Sequence, residues 1–522
     1  MSLDPRPAEG ASRPDSPVLC WGLILAGVAA FSVHSILVRN WMLDDAFIFF
    51  RYAENLALGR GLVFNPGERV EGYTSVLWVV LMAAGSKLGL GPVLFSRLLG
   101  VLSSLGALLL LGHSHRFLKG VSPVQAAAGT LLLGTLGMFT PWAMSGMEVS
   151  LVTLLVLLSV LLYVRAREQA GRPGPWLLVG LVLGLLVLAR PEGLLVAALL
   201  SVSRLVASIR RRNLSVVWLG LPLVAVVGLH LGWRIWYYGH PLPNTFYAKV
   251  GTRAAQLVRG IEYLGRFGIP AFLLAGSGLA SIATGRWFRR YPGLGLLPLV
   301  VLVFALYSVA VGGDCMPAFR FMAPVMPVLA LVAALSVWSL ARSTKAVLLV
   351  LAVFVLYNLA QTRFNPDIHN RIAEDRVAFW GKRVGLWFRQ NTSEDAVIAT
   401  NTAGTIPYYS RRRIVDMLGA TDAHIAHRRM PDMGTGWPGH EKYDGSYVLL
   451  REPDCIQLGS SLGSLAPFFP SDSELWQMPA FRRNYRPVLH RLDSASVFVV
   501  FERKQGTGSR RPGGRSHHGT ER

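Results

Sequence analysis

Apolar runs long enough to cross a lipid bilayer recur from Val18 to Gln361, and this repetition limits the fold more than any single motif does. The first run, Val18 to Val38, has 21 residues. A helix needs about 20 residues to cross a hydrocarbon core of about 30 Å. Comparable runs fall at 92–112, 122–140, 148–165, 176–189, 192–207, 215–236, 268–284, 294–311, 322–341 and 345–361. Thr74 to Leu88 is also apolar, but it has only 15 residues. Composition agrees with a polytopic α-helical membrane protein. Only 16% of the 522 residues are charged and 52% are hydrophobic, whereas soluble domains carry about 25% charged residues. The 52 basic against 30 acidic residues give a net charge of +22, but a chain this apolar is not a nucleic-acid binder. Its three cysteines exclude a disulfide scaffold.

Whether 74–88 crosses decides the orientation of every later span. Lys and Arg in short loops stay cytoplasmic, and the basic short loops here are 113–121, 165–175, 204–213, 286–290 and 342–345. If 74–88 does not cross, all of them fall on the side of the N-terminus. We therefore read 74–88 as an interfacial or re-entrant segment and expect about eleven spans, with the N-terminus cytoplasmic and the C-terminus outside. The expected organisation is a cytoplasmic tail over 1–17, a transmembrane domain over 18–361 whose first outer loop is 39–91, an extracytoplasmic α/β domain over 362–502 and a disordered basic tail over 503–522. In the α/β domain, Glu374–Gln390 has helical periodicity, and the runs 397–400, 447–450 and 496–501 predict short strands.

The unusual polar residues gather on the outward stretches. Asp44 and Asp45 follow the first span closely, where a carboxylate near lipid is paired, hydrated or functional. On a helix starting there Asp44 shares a face with Arg51, so Asp44 could accept a proton while Arg51 holds an anion. The alternative is that Asp44 caps the helix with Asp45 in its first turn. Glu71 and Tyr73 close the same loop and suit a sugar platform. Glu148, the Arg190-Pro191-Glu192 hairpin, Asp314 and Arg320 stand at span mouths, each either a helix-end ion pair or part of a joint site for an anionic lipid and a carbohydrate. The stretch 237–249, with Asn244 and Lys249, is an aromatic belt or a wall for a prenyl chain, with Lys249 reaching a phosphate. His440 stands in a short Gly-His-Glu-Lys run. No Walker loop, GxGxxG, HExxH or GxSxG occurs in a supporting context, so no nucleotide site is visible.

The segments LDDAFIFFRYAENLALGRGLVFNPGERVEGYTSVLW, SGME, RPEG, YYGHPLPNTFYAK, GGDCMPAFRF, NTAGTIPYYS, DMLGATDAHIA and PGHEK resemble, in this order from about residue 40 to 450, the GT-C membrane glycosyltransferases. Within them they are most similar to the terminal β-(1→2)-arabinofuranosyltransferases of cell-wall synthesis. The resemblance implies a GT-C-like helical domain with juxtamembrane helices, a polyprenyl-phosphate sugar donor embedded in membrane lipid, and a cell-envelope glycan acceptor. It also implies that Asp44 or Asp45 is catalytic, and we favour Asp44 as base for the acceptor hydroxyl. Arg51, Arg190, Lys249 and Arg320 are then the candidates for the donor phosphate. Glu71, Tyr73, Glu148, Glu192, Asn244, Asp314 and His440 are the candidates for sugar or acceptor. No cofactor is expected with certainty; a divalent metal beside the acids is left open. A transporter or flippase of lipid-linked sugars is the competing class, but it should show repeated halves and polar residues facing both sides.

Overall fold

The computed structural model describes residues 16–504, apart from 170, 250, 252, 253 and 432. The expected tails 1–17 and 503–522 therefore lie, but for two residues each, outside the described residues. Each of the eleven apolar runs contains a helix, and among the described residues seven helices are long and apolar enough to cross a membrane, or eight if one bent pair counts as a span. The seven include Pro17–Leu37, Pro92–Gly112, Gly193–Arg211 and Ser215–Tyr238. The chain is a multi-pass membrane protein.

Where the helices fall short of the runs, local chemistry stops them. Pro123–Gly134 ends at Thr135, whose hydroxyl donates to the Leu131 carbonyl at 3.0 Å. Pro173–Ala189 covers its whole run and ends there because Arg190 precedes Pro191 and is extended, with φ −158° and ψ 142°, since proline disfavours helical geometry in the residue before it. The run at 268–284 yields only the helix Phe272–Ala283, bent by 97° from the helix Ala254–Gly268. The segment read as interfacial is the helix Val76–Lys87. Its 12 residues rise about 18 Å at roughly 1.5 Å each, well short of a bilayer core. It packs on the helix Asp44–Ala57 through buried Trp78, Val79 and Met82, and the Trp78 indole donates to the Gly146 carbonyl at 3.1 Å.

The C-terminal part is a five-stranded sheet, β1 (Val397–Thr400), β2 (Arg413–Asp416), β3 (Cys455–Gln457), β4 (Tyr485–Arg491) and β5 (Val497–Arg503), in the order β2-β1-β3-β5-β4. The first three are parallel and the last two join antiparallel. The amphipathic helix is present as Val377–Asn391. The run 447–450 is not a strand but part of the helix Gly445–Leu450, whose N-cap Asp444 accepts from the Tyr447 amide at 3.0 Å. A four-residue apolar run carries no period of its own, and the cap decides.

This sheet domain is bonded to the first loop. Asn65 donates to the Ile414 carbonyl at 2.9 Å and accepts from its amide at 3.1 Å, so it mimics a strand neighbour at the edge of β2. Glu68 pairs with Arg413 and, at 2.9 Å, with Arg451.

Candidate active site

Asp45 stands in the first turn of the helix Asp44–Ala57, with its carboxylate 4.0 Å from the Lys249 ammonium and 3.9 Å from the Arg320 guanidinium. Lys249 ends the short helix Asn244–Lys249. Arg320 follows Ala318 and Phe319, both left-handed at φ 53° and 55°, a conformation that costs about 1–3 kcal/mol per non-glycine residue. Asp314 holds Arg320 from the other side at 2.7 and 3.0 Å. It is delivered by Gly312 and Gly313, with φ of 79° and 69°. A Cβ on Gly313 would lie 2.5 Å from Tyr263, so glycine is required twice over there.

Behind this group lies a buried ion triad. Arg190 bonds Glu148 at 2.6 Å and Glu192 through two donors, at 2.5 and 3.1 Å. Two span-mouth segments about 40 residues apart in sequence thus meet, and Arg190 is committed to two carboxylates. A guanidinium buried in this way is held by its pairing, and its removal leaves both acids uncompensated.

His440 lies over Lys249 and Asp45. Its ring stacks on Phe469 at 5.1 Å, and the loop before it packs on the Lys249 chain, 3.2 Å from where a Cβ on Gly439 would be. Burial pushes the His440 imidazole below its ordinary pKa, and Lys249 pushes it the same way, so the ring is neutral at neutral pH.

The neighbouring acid has a different task. Asp44 accepts from the Gly404 amide at 2.9 Å, the Thr405 amide at 2.8 Å and the Thr405 hydroxyl at 2.5 Å. It caps the helix Thr405–Ser410 of the sheet domain and not its own helix, whose N-cap is Leu43. Loss of solvent raises its pKa to about 6 against the pull of these hydrogen bonds. Arg51 does not reach toward Asp45 either. In place of the phosphate role expected for it, its donors go to the carbonyls of Phe64 (2.8 Å), Pro407 (2.6 Å) and Arg412 (2.7 Å) and to the Asn65 side chain (3.1 Å). It is spent on holding the sheet domain against the first loop.

Glu71, Tyr73 and Asn244 form a second group. The Tyr73 hydroxyl meets that of Tyr238 at 3.1 Å, Glu71 pairs with Arg234 at 2.8 Å, and Asn244 donates to the carbonyls of Gly419, Ala420 and Asp422 at 2.8–3.2 Å. Among the described residues no three His, Cys, Asp or Glu side chains converge as metal ligands. Sequence reasoning missed Asp375, a carboxylate near Asp45 that accepts from the Trp41 indole at 3.0 Å. Nothing in its local sequence marks it, because its neighbours come from the first loop.

A family model described as a domain of unknown function (DUF8728) matches residues 367–507. The terminal β-(1→2)-arabinofuranosyltransferase of Corynebacterium glutamicum is 29% identical over 367 residues, 63% of this chain and 53% of that protein. The enzyme of the same name from Mycobacterium tuberculosis is 35% identical over 248 residues, 44% of this chain and 38% of that protein. The matches thus span about half or less of each relative's length. In fold, the chain is similar to ArnT from Cupriavidus metallidurans. The apo structure gives a TM-score of 0.54 at 16% identity, and the structure bound to undecaprenyl phosphate gives 0.50 at 15%; both cover 77% of this chain and 86% of the other. The chain therefore resembles the GT-C glycosyltransferases in its membrane fold and the terminal β-(1→2)-arabinofuranosyltransferases in its sequence.

Proposed function

We propose that this chain is an integral membrane glycosyltransferase. It moves a sugar, with arabinofuranose the first candidate, from a polyprenyl-phosphate donor to a cell-envelope glycan on the outer face of a bacterial inner membrane. The observation that carries the reading is the Asp45 carboxylate between Lys249 and Arg320. Of the two first-loop acids we assign the base to Asp45, because both oxygens of Asp44 already accept hydrogen bonds from the sheet domain. The acceptor hydroxyl forms the new bond to the anomeric carbon and gives its proton to Asp45. The bond from that carbon to the phosphate oxygen breaks, and its electron pair leaves with the lipid phosphate. Lys249 and Arg320 stabilise that departing charge, which is worth most where water is excluded. At 4.0 Å the Lys249 contact with Asp45 is loose, so the ammonium can turn to a phosphate without breaking a tight bond. Arg190, with Glu148 and Glu192, would position this floor and not touch the phosphate. Similarity to ArnT, a protein solved with undecaprenyl phosphate, supports a lipid-phosphate donor.

The test is transfer of radiolabelled sugar from a panel of polyprenyl-phosphate sugars, using membranes that carry the wild type, Asp45→Asn or Asp44→Asn. Asp45→Asn should lower kcat by about 10²–10⁴-fold at unchanged protein level, while Asp44→Asn should chiefly lower the protein level. Equal transfer by the wild type and Asp45→Asn would remove Asp45 from the chemistry.

A further inference from the structure

Two large aromatic side chains stand out of the sheet domain into solvent beside the Asp45 site. Trp437 is 60% exposed and Phe468 62%. A single exposed apolar residue is ordinary, but these two are neighbours. Their ring centroids are 6.2 Å apart and their planes cross at 72°, so they form the walls of an open corner. Phe469 lies 4.8 Å from Phe468 and stacks on His440, which is itself 5.8 Å from Trp437. The rings make one strip that begins over Lys249 and Asp45 and ends in solvent.

Both loops that carry the exposed rings are pinned by a buried carboxylate. Glu441 accepts from the amides of Gly434 at 2.7 Å and Gly436 at 2.8 Å, on the turn that leads to Trp437. Asp472 accepts from the amides of Phe468 and Phe469, each at 3.0 Å, and from the Gly459 amide and the Asn401 side chain at 2.9 and 2.7 Å. A surface fixed in this way before binding loses less freedom when a ligand arrives. The Phe468 loop follows β3, and Asn401 follows β1. β1 lies between β2 and β3, so the chain leaves it on one side and returns on the other. Open α/β sheets bind ligands beyond the carboxyl ends of the strands where the order reverses like this.

The strip is placed toward water and not toward lipid. The Trp437 loop packs on the helix Ala254–Gly268, where Arg259 donates to the Gly436 carbonyl at 2.6 Å and a Cβ on Gly434 would lie 3.2 Å from Gln256. Gln256, Gly260, Tyr263 and Phe267 of that helix are buried, while Leu257, Val258 and Ile261 are exposed. At about 100° per residue these sets lie on opposite sides, so the apolar side is free to rest on the bilayer and the loop stands on the other. A protein partner on the strip would close the mouth of the Asp45 site. A sugar chain fits both demands. Its rings lay apolar C–H faces on Trp437 and Phe468 and keep their hydroxyls in water, and one end can reach Asp45 along the strip.

We infer that the acceptor glycan lies along this strip, with sugar units beyond the one that receives the new bond stacked on Trp437 and Phe468. The inference rests on the proposed transfer to a glycan. Full-length protein in detergent is tested with synthetic oligo-arabinofuranosides, for transfer and, without donor, for binding by saturation-transfer NMR. Both rings are largely exposed, so their removal should leave the unfolding midpoint where it is. Trp437→Ala and Phe468→Ala should each raise KM for the acceptor about tenfold, the effect of about 1.4 kcal/mol, weaken binding by a similar factor, and leave KM for the lipid donor as it is. Trp437→Phe keeps an aromatic face and should recover most of the loss. Binding that weakens in the alanine variants even where no donor supports transfer would uphold the strip and fault only the reading of the activity. Wild type that binds no oligosaccharide, or alanine variants that bind it as well as wild type does, would overturn the inference. So would quenching of Trp437 by brominated lipid in nanodiscs, read as the difference between wild type and Trp437→Phe, since it would place the rings in the membrane.

Discussion

Adjacent residues on a helix point about 100° apart, and at the start of the first-loop helix this separates two identical side chains into two tasks. Asp44 turns to the sheet domain and caps a helix there, while Asp45 turns to Lys249 and Arg320. The cap depends on a residue with no side chain. A Cβ on Gly404 would lie 1.9 Å from the Asp44 carbonyl oxygen and 2.6 Å from its carboxylate. The first of these is backbone and has nowhere to move. Gly404→Ala should therefore destabilise the chain by about 1–3 kcal/mol or more, as overpacking does, seen as a lower unfolding midpoint in detergent. An unchanged midpoint would mean that the domain contact is softer than described. The sequence placed both acids in the first loop and left open whether Asp44 is a base or a helix cap. It could not show that the capped helix is Thr405–Ser410, because the partner is 360 residues away.

At the scale of elements, legibility followed the length of the pattern. The long apolar runs each contain a helix, and the periodic segment near 374–390 is one too. Short runs were ambiguous: β1 and β5 were visible, β2, β3 and β4 were not, and 447–450 is helical. β3 has only three residues, too few to carry an alternation. The helix Gly445–Leu450 is itself only six residues long, so its cap carries much of the helical bias. Asp444→Ala should cost about 1 kcal/mol and lower the thermal midpoint of the purified protein, and Asp444→Asn, which retains a capping oxygen, should recover most of it. If both variants match the wild type, packing alone holds that helix.

For the molecule as a whole, the proposed orientation puts the sheet domain and the Asp45 site on one side of the membrane and the arginine-rich loops on the other. A single added cysteine tests it, since the native Cys20 and Cys455 are buried and Cys315 is half-buried. Glu452→Cys, at a position 75% exposed in the sheet domain, should react with a membrane-impermeant maleimide in intact cells. Arg211→Cys, at the C-terminal end of the helix Gly193–Arg211, should react only after permeabilisation. The reverse pattern would invert the topology and move the proposed reaction to the cytoplasmic face.

The sequence by itself determined that the chain crosses a membrane more than once and that its unusual polar residues lie in a few stretches between apolar runs. Those are properties of length and hydrophobicity, which each segment carries alone. Only the tertiary structure decided which charges meet. Arg51 is consumed at a domain contact, Arg190 lies between Glu148 and Glu192, and Lys249 and Arg320 are left facing Asp45. A charged side chain takes its role from the partners that desolvate and neutralise it, and here those partners come from segments far apart in the chain.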